Sequence, residues 1–290
     1  MKYISSFYLL SQISEESFFS YNPKLKMTCY DSFYPYGIFP KKEFQKIEFD
    51  DITMFYGGNG SGKTTVLNVI ADKIGAERNA PYNRSEFFED YLSDCEVEFE
   101  NCEFQEKRII TSDDIFDYML DIRTINEHID KKRGERLEEY TDLKYSSFRM
   151  ESLAQYDELK RSNLAKSKSK SQYIRRTLMD NVREFSNGEN AFRFFTQRID
   201  HDGIYILDEP ENSLSPELQL ELVRFIEDSA RFYNCQFIIA THSPFILSMD
   251  NAKIYDMDSV PVGTRRWTEL KNMRAYYKLF SERADEFEER

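Results

Sequence analysis

Three short stretches of this chain carry residue types suited to phosphate chemistry. In the first, Gly57-Gly58-Asn59-Gly60-Ser61-Gly62-Lys63-Thr64 has the eight-residue phosphate-loop spacing, and it takes up four of the ten glycines in 290 residues. Glycines at these positions let consecutive backbone N–H groups wrap phosphate oxygens with no Cβ in the way. Lys63 is placed to reach β- and γ-phosphates and the Thr64 hydroxyl to hold Mg²⁺, with Thr65 continuing the cradle into the next element. In the second stretch, Asp208 and Glu209 follow the apolar run Ile204-Tyr205-Ile206-Leu207. Asp208 is expected in the Mg²⁺ shell, directly or through water, and Glu209 is expected to polarise or orient an attacking water. In the third, Thr241 and His242 follow Phe237-Ile238-Ile239-Ala240, where an imidazole is placed to sense a γ-phosphate.

These side chains need a scaffold that brings them to one edge. The segment before the glycine cluster, residues 50–56, reads as a strand, and residues 63–74 read as an amphipathic helix ended by Gly75. The apolar runs before Asp208 and Thr241 read as strands buried on both faces of a parallel sheet, which presents its ligands at the carboxyl ends of its strands. A fourth stretch, Ser186-Asn187-Gly188-Glu189, opens a helical pattern, and the exposed N–H groups at a helix start favour an anion. A second phosphate site so far from the first needs a reason.

Composition narrows the setting. The chain is long enough for one large or two modest domains. Cys29, Cys95, Cys102 and Cys235, with His128, His201 and His242, show no paired metal-ligand spacing. A reduced, cytoplasmic protein without structural zinc is expected, because no apolar run approaches a membrane span and the start has no secretory pattern. The formal net charge of −13 argues against a generally basic surface and leaves room for a local basic patch.

Residues 115–180 differ in texture. They are rich in charged residues, contain Gly134 as their one glycine and no proline, and read as a helical insertion of two to four helices. That length excludes a long rod. Lys160, Arg161, Lys166, Lys168, Lys170, Arg175 and Arg176 concentrate positive charge there, and they read either as a mobile solvated loop or as a nucleic-acid patch. Residues 24–33 and 41–55 read as strands of an antiparallel layer. Leu270, Met273, Tyr277, Phe280 and Phe287 recur at roughly helical spacing, as expected of a closing helix packed on the core with Trp267 at its start.

The order of motifs, from phosphate loop through Ser-Asn-Gly-Glu to Asp-Glu-Pro and Thr-His-Ser, resembles the ATP-binding-cassette ATPases. It is most similar to the soluble branch with SMC, RecF-like and overcoming-lysogenization-defect ATPases and small stand-alone ATPases. The resemblance implies an α/β ATPase head over residues 1–114 and 181–290, with a mostly parallel core sheet, an N-terminal antiparallel layer, and the helical insertion at 115–180. It further implies ATP and Mg²⁺ as cofactors, hydrolysis to ADP and phosphate, and an ATP-sandwiched homodimer. In that dimer Ser186, Asn187, Gly188 and Glu189 would contact the γ-phosphate held by the other copy's phosphate loop, which supplies the reason for a second site. A separate effector protein is implied, in DNA transactions or antiviral defence.

The sequence departs from the pattern in places. Ser215 stands where transporter subunits carry an aspartate, Phe185-Ser186-Asn187-Gly188-Glu189 replaces Leu-Ser-Gly-Gly-Gln, and no glutamine stands directly after residues 107–111, where the family places one. Ser112 or Asp113 is a candidate for that place, Gln105 being too early. The family often stacks an aromatic on adenine ahead of the phosphate loop, where Tyr34 and Tyr36 lie. Two other readings stay open: a transporter's nucleotide-binding subunit, which needs a membrane partner, and a non-hydrolysing ATP sensor.

Overall fold

The computed structural model describes residues 2–26, 29–100, 105–145, 156–177 and 186–288. The chain divides into two compact units, Met1–Ile115 with Asn187–Arg290, and Phe116–Ser186.

In the first unit, β1 (Ile4–Tyr8) is followed by α1 (Gln12–Tyr21), capped by the Ser11 hydroxyl accepting from Ser14 N. Next come β2 (Lys46–Glu48), β3 (Ile52–Tyr56), α2 (Lys63–Ile74), α3 (Phe88–Asp94), β4 (Glu96–Phe99) and β5 (Glu106–Thr111). The helix α4 (Ser112–Tyr145) leads into the second unit, which continues with α5 (Tyr156–Ser167) and α6 (Lys170–Thr177). The first unit resumes with α7 (Asn187–Arg198), β6 (Gly203–Asp208), α8 (Pro216–Phe232), β7 (Cys235–Thr241), α9 (Pro244–Leu247), β8 (Lys253–Asp256) and β9 (Gly263–Thr264). Two helices end it, α10 (Lys271–Glu282) and α11 (Asp285–Glu288).

The fold is α/β. A six-stranded sheet has the order β5-β6-β7-β3-β8-β9, parallel except for the last pair, and a separate three-stranded antiparallel sheet has the order β2-β1-β4. Every residue of β3 and β7 is buried, and so is β6 up to Asp208. Unbroken burial of this kind means that both sheet faces are covered, which accounts for the continuous apolar runs in the sequence. The buried Gln236 on β7 ties the two sheets together, its Oε1 accepting from Tyr3 N and Ile4 N at 2.9 Å and its Nε2 donating to Ile4 O at 2.9 Å.

The antiparallel layer departs from the sequence reading. Residues 24–33 contain no strand among their described residues; Pro23–Lys26 is a short 3₁₀ turn, and Phe33 joins an aromatic cluster. The central strand is instead β1, and only Lys46–Glu48 of residues 41–49 pairs with it. Pairing of β1 on both sides, with Ile4 and Phe7 fully buried, fixes that choice.

In the second unit Tyr140, Ala165 and Tyr173 form a small core, with the two rings 5.4 Å apart. The basic run is helical on both sides of a break at Lys168–Ser169. Lys160, Lys166 and Lys170 are exposed and Lys168 is half-buried, while the side chains of Arg161, Arg175 and Arg176 lie outside the described residues.

The C-terminal helix corrects another expectation. Leu270 and Met273 are buried, but Tyr277, Phe280 and Phe287 are 67%, 56% and 71% exposed. Packing of α10 on the head stops after its first turn, because the head's surface supports only Leu270 and Met273.

Candidate phosphate-binding site

The glycine-rich turn connects the end of β3 to α2, so it lies at the carboxyl edge of the parallel sheet. Gly60 and Gly62 have φ of +76° and +94°, a region that a side chain rarely tolerates. At Gly57 a Cβ would lie 2.5 Å from Ser61 Oγ, so the turn closes only with glycine there. Lys63 is almost fully buried and donates from Nζ to Gly57 O at 2.8 Å and Gly58 O at 3.2 Å. Asp258, just after β8, accepts the Gly58 N–H on both carboxylate oxygens at 3.0 and 3.1 Å. The sequence reading missed Asp258; it becomes visible only because β8 is the neighbour of β3.

Strand order brings the other motifs to the same edge. Asp208 ends β6, and its carboxylate is hydrogen-bonded by the Thr64 side chain. Burial pushes its pKa up to about 6; the Thr64 hydrogen bond and the Lys63 charge work against that rise, while Glu209 and Glu211 add to it. Asp208 Oδ1 is buried with no hydrogen-bond partner among the described residues. Glu209 turns away from the strand at φ +48° and donates its N–H to Ala240 O at 2.9 Å. Its carboxylate lies 3.6 Å from Lys63 Nζ and 3.8 Å from His242 Nδ1, and it accepts from Asn212 Nδ2 at 3.3 Å. Such a backbone at a strand end re-aims the side chain out of the sheet.

Glu211, which had no predicted role, is the most heavily used carboxylate. Its buried Oε1 accepts from Thr241 Oγ1 at 2.8 Å, His242 N at 2.8 Å and Ser243 N at 3.2 Å, and His242 Nδ1 is 3.2 Å away. It fixes the loop that presents the half-exposed His242 imidazole beside Glu209. A third acid within four residues was the available signal, but the sequence did not show that it would be buried.

The Ser186–Glu189 segment begins α7, with Ser186, Asn187 and Glu189 exposed. Gly188 sits tightly on the start of α8, where a Cβ would lie 2.9 Å from Leu218 Cδ1 and 3.1 Å from Ser213 O. Phe185 lies outside the described residues. Ser215 caps α8, its hydroxyl accepting from Leu218 N at 3.4 Å. Neither Ser112 nor Asp113 is buried; Asp114 accepts instead from Ala80 N at 3.0 Å and Thr111 N at 2.7 Å, which anchors the start of α4.

Tyr36 is not available as an adenine platform. It is buried, stacked on Phe18 at 4.3 Å and edge-on to Tyr91 at 5.0 Å. Tyr34 is half-buried with one face on Phe88 at 5.9 Å. An aromatic-rich core takes up Tyr36 and one face of Tyr34, and from this loop Ile38 reaches the glycine turn, 3.3 Å from where a Gly62 Cβ would stand.

The residues present fit a triphosphate and a divalent cation. A glycine cradle, closed at Gly57 and left-handed at Gly60 and Gly62, faces a buried lysine, and an orphaned Asp208 oxygen stands beside the Thr64 hydroxyl. Glu106, Asp200 and His201 form another group of metal-ligand type, but Glu106 already pairs with Arg108 and Asp200 with His201.

The family model described as "AAA domain, putative AbiEii toxin, Type IV TA system" matches residues 180–248, a span that includes the segment opening α7, the Asp208–Glu209 pair and His242. Among solved structures, the SMC head domain from Thermotoga maritima is 13% identical with a TM-score of 0.40, over 92% of this chain and 99% of that one. The Smc head domain with an extended coiled coil, bound to the C-terminal domain of ScpA and derived from Pyrococcus furiosus, is 15% identical with a TM-score of 0.41, over 96% and 100%. A nucleotide-free ATP-binding cassette from an ABC transporter is 16% identical with a TM-score of 0.38, over 80% and 90%. Compared with curated proteins by sequence, the chain has no match.

Proposed function

We propose that this chain is an ATPase of the ATP-binding-cassette type that binds Mg·ATP at the glycine turn and hydrolyses it to ADP and phosphate. One observation carries the reading: Lys63, Thr64, Asp208, Glu209 and His242 come from three separate strand ends, and each lies within hydrogen-bonding or ion-pair reach of at least one of the others. Thr64 and Asp208 would hold Mg²⁺, which when bound neutralises charge on the phosphates. Backbone N–H groups of the Gly57–Thr65 turn, other than that of Gly58, which Asp258 holds, would cradle the phosphate oxygens, and Lys63 would move from the Gly57 and Gly58 carbonyls to the β- and γ-phosphates. Glu209 orients water, and His242, held by Glu211, reads the γ-phosphate.

Two copies close around two nucleotides in this reading, each offering Ser186, Asn187, Gly188 and Glu189 to the other's γ-phosphate. Exposure of that segment at the start of α7 supports this geometry. The test is the solution mass of Glu209→Gln by light scattering with and without Mg·ATP, beside Glu209→Gln/Ser186→Arg. Doubling in the first and none in the second is expected. Tight ATP binding with background turnover that Glu209→Gln leaves unchanged would reject hydrolysis in favour of a sensor.

The output passes to a separate effector, and defence against phage or DNA transactions are the settings proposed. No helix among the described residues is long and apolar enough to cross a membrane, so a transporter role would need a separate membrane subunit. A nucleic-acid contact would run through Lys160, Arg161, Lys166, Lys168, Lys170, Arg175 and Arg176, of which Lys160, Lys166 and Lys170 are exposed. Competition of Lys166→Ala/Lys168→Ala/Lys170→Ala against wild type for DNA and RNA at two salt concentrations tests this, and equal binding would sink it.

A further inference from the structure

The Gly57–Gly58 peptide is gripped from two sides, and one grip must be released when nucleotide binds. On that side Lys63 Nζ donates to Gly57 O at 2.8 Å and Gly58 O at 3.2 Å. A lysine that moves to the phosphates gives up both carbonyls, and Gly58 O then keeps the 3.2 Å bond from Ser61 N. On the other side the exposed Asp258 carboxylate takes the Gly58 N–H on both oxygens, at 3.0 and 3.1 Å, and Asp258 Oδ1 stands 3.1 Å from where a Gly57 Cβ would be. Glycine loses more conformational freedom on ordering than any other residue, so a turn that opens with two of them needs a tether.

Asp258 is itself fixed to the root of the turn. Its N–H donates to Asp256 Oδ1 at 3.1 Å, and Asp256 Oδ2 pairs with Arg265 Nε at 3.0 Å. Between the two acids, Met257 N donates at 2.7 Å to the carbonyl of Tyr56, the last residue of β3, and Met257 O accepts from Lys42 Nζ at 2.6 Å. The carboxylate therefore projects from a held backbone, as a positioning contact requires. Its negative charge beside a site for a polyanion opposes binding by Coulomb repulsion, whereas its hydrogen bond favours binding by ordering the loop in advance. Charge and acceptor can be removed separately by substitution.

We propose that Asp258 is a positioning residue of the phosphate loop. It holds the Gly58 N–H with and without nucleotide, and so keeps the rest of the Gly57–Thr65 turn open toward the phosphate oxygens once Lys63 has left the Gly57 and Gly58 carbonyls. This role rests on the ATPase reading above. Asp258 does not touch the phosphates in it, and its contribution shows as nucleotide affinity rather than as stability of the nucleotide-free fold.

The experiment compares Asp258→Ala with Asp258→Asn in the full chain. Both lose the charge, and only the second keeps an oxygen acceptor. Titration with a fluorescent ATP analogue and Mg²⁺ is expected to show Asp258→Asn binding at least as tightly as wild type, and Asp258→Ala about tenfold more weakly than Asp258→Asn. Adding Gly58→Ala to Asp258→Ala should recover about threefold by restricting the chain. Gly58 lies outside the left-handed region, and a Cβ there would meet Asp258 oxygens at 3.8 and 3.9 Å, so alanine fits. In protein carrying isotope-labelled glycine, the Gly58 amide proton should resonate downfield, as in a charge-assisted hydrogen bond, with and without the analogue, and move upfield in Asp258→Ala. Equal affinities of Asp258→Ala and Asp258→Asn overturn the proposal. So does a wild-type Gly58 amide that moves upfield when the analogue binds, because the nucleotide has then displaced the carboxylate. A wild type that binds no analogue overturns the ATPase reading and this role with it, whereas the other two outcomes leave that reading intact.

Discussion

Among single residues, Asp208 gives the clearest pH dependence. Its folded pKa, raised to about 6 by burial, lies above its value in an unfolded chain. The fold therefore favours the neutral carboxyl: that contribution is complete below about pH 4 and is lost as pH rises through 6. Above pH 6 the buried charge costs about 3 kcal/mol, by the size of the shift. Asp208→Asn should therefore melt higher than wild type at pH 7.5 in chelator, and the gap should narrow markedly at pH 5; equal gaps at both pH values would refute the account. Glu211 stabilises the fold through its hydrogen bonds. Glu211→Ala leaves the Thr241 hydroxyl and two backbone N–H groups without their acceptor, a loss of about 2–4 kcal/mol in urea unfolding. Glu211→Gln keeps an oxygen acceptor and should lose less. Glu209→Gln should lower turnover by about 10²–10⁴-fold while fluorescent-nucleotide binding persists, as expected for loss of a water-orienting base.

Among the elements, the tight places lie where two elements approach too closely for a side chain. Gly203 opens β6 against β5, and a Cβ there would stand 2.3 Å from the Glu106 carbonyl oxygen. Gly203→Ala must part the strands at the start of their pairing, with an expected loss of about 2–4 kcal/mol measured by chemical denaturation. Gly188→Val should displace the start of α7 from Ser213 and Leu218. Its expected signature is a lost ATP-dependent mass change in the Glu209→Gln background, with nucleotide affinity of the single chain kept within about threefold, because the phosphate loop is built from other elements.

For the whole molecule, the two sheets and the strand order decide which motifs can cooperate. The order β6-β7-β3-β8 puts the ends of four strands side by side, delivering Asp208, Thr241, the glycine turn and Asp258 to one edge from positions up to 200 residues apart. Gln236 locks the antiparallel sheet onto this platform.

The sequence alone determined the phosphate loop, the strands buried on both faces and the acid pair, because each depends on local rules: glycine conformation, apolar runs, and the carboxyl ends of strands. It also determined that α10 is amphipathic, since helical spacing is written in the chain. Only the tertiary structure decided that this face lies uncovered past Met273, that Tyr36 is core rather than platform, and that the antiparallel sheet is centred on β1, with no strand among the described residues of 24–33. Glu211 and Asp258 likewise emerged as anchors of the site only when distant strands became neighbours. Burial and pairing are set by what the rest of the chain brings alongside, and residue types with their spacing do not encode that.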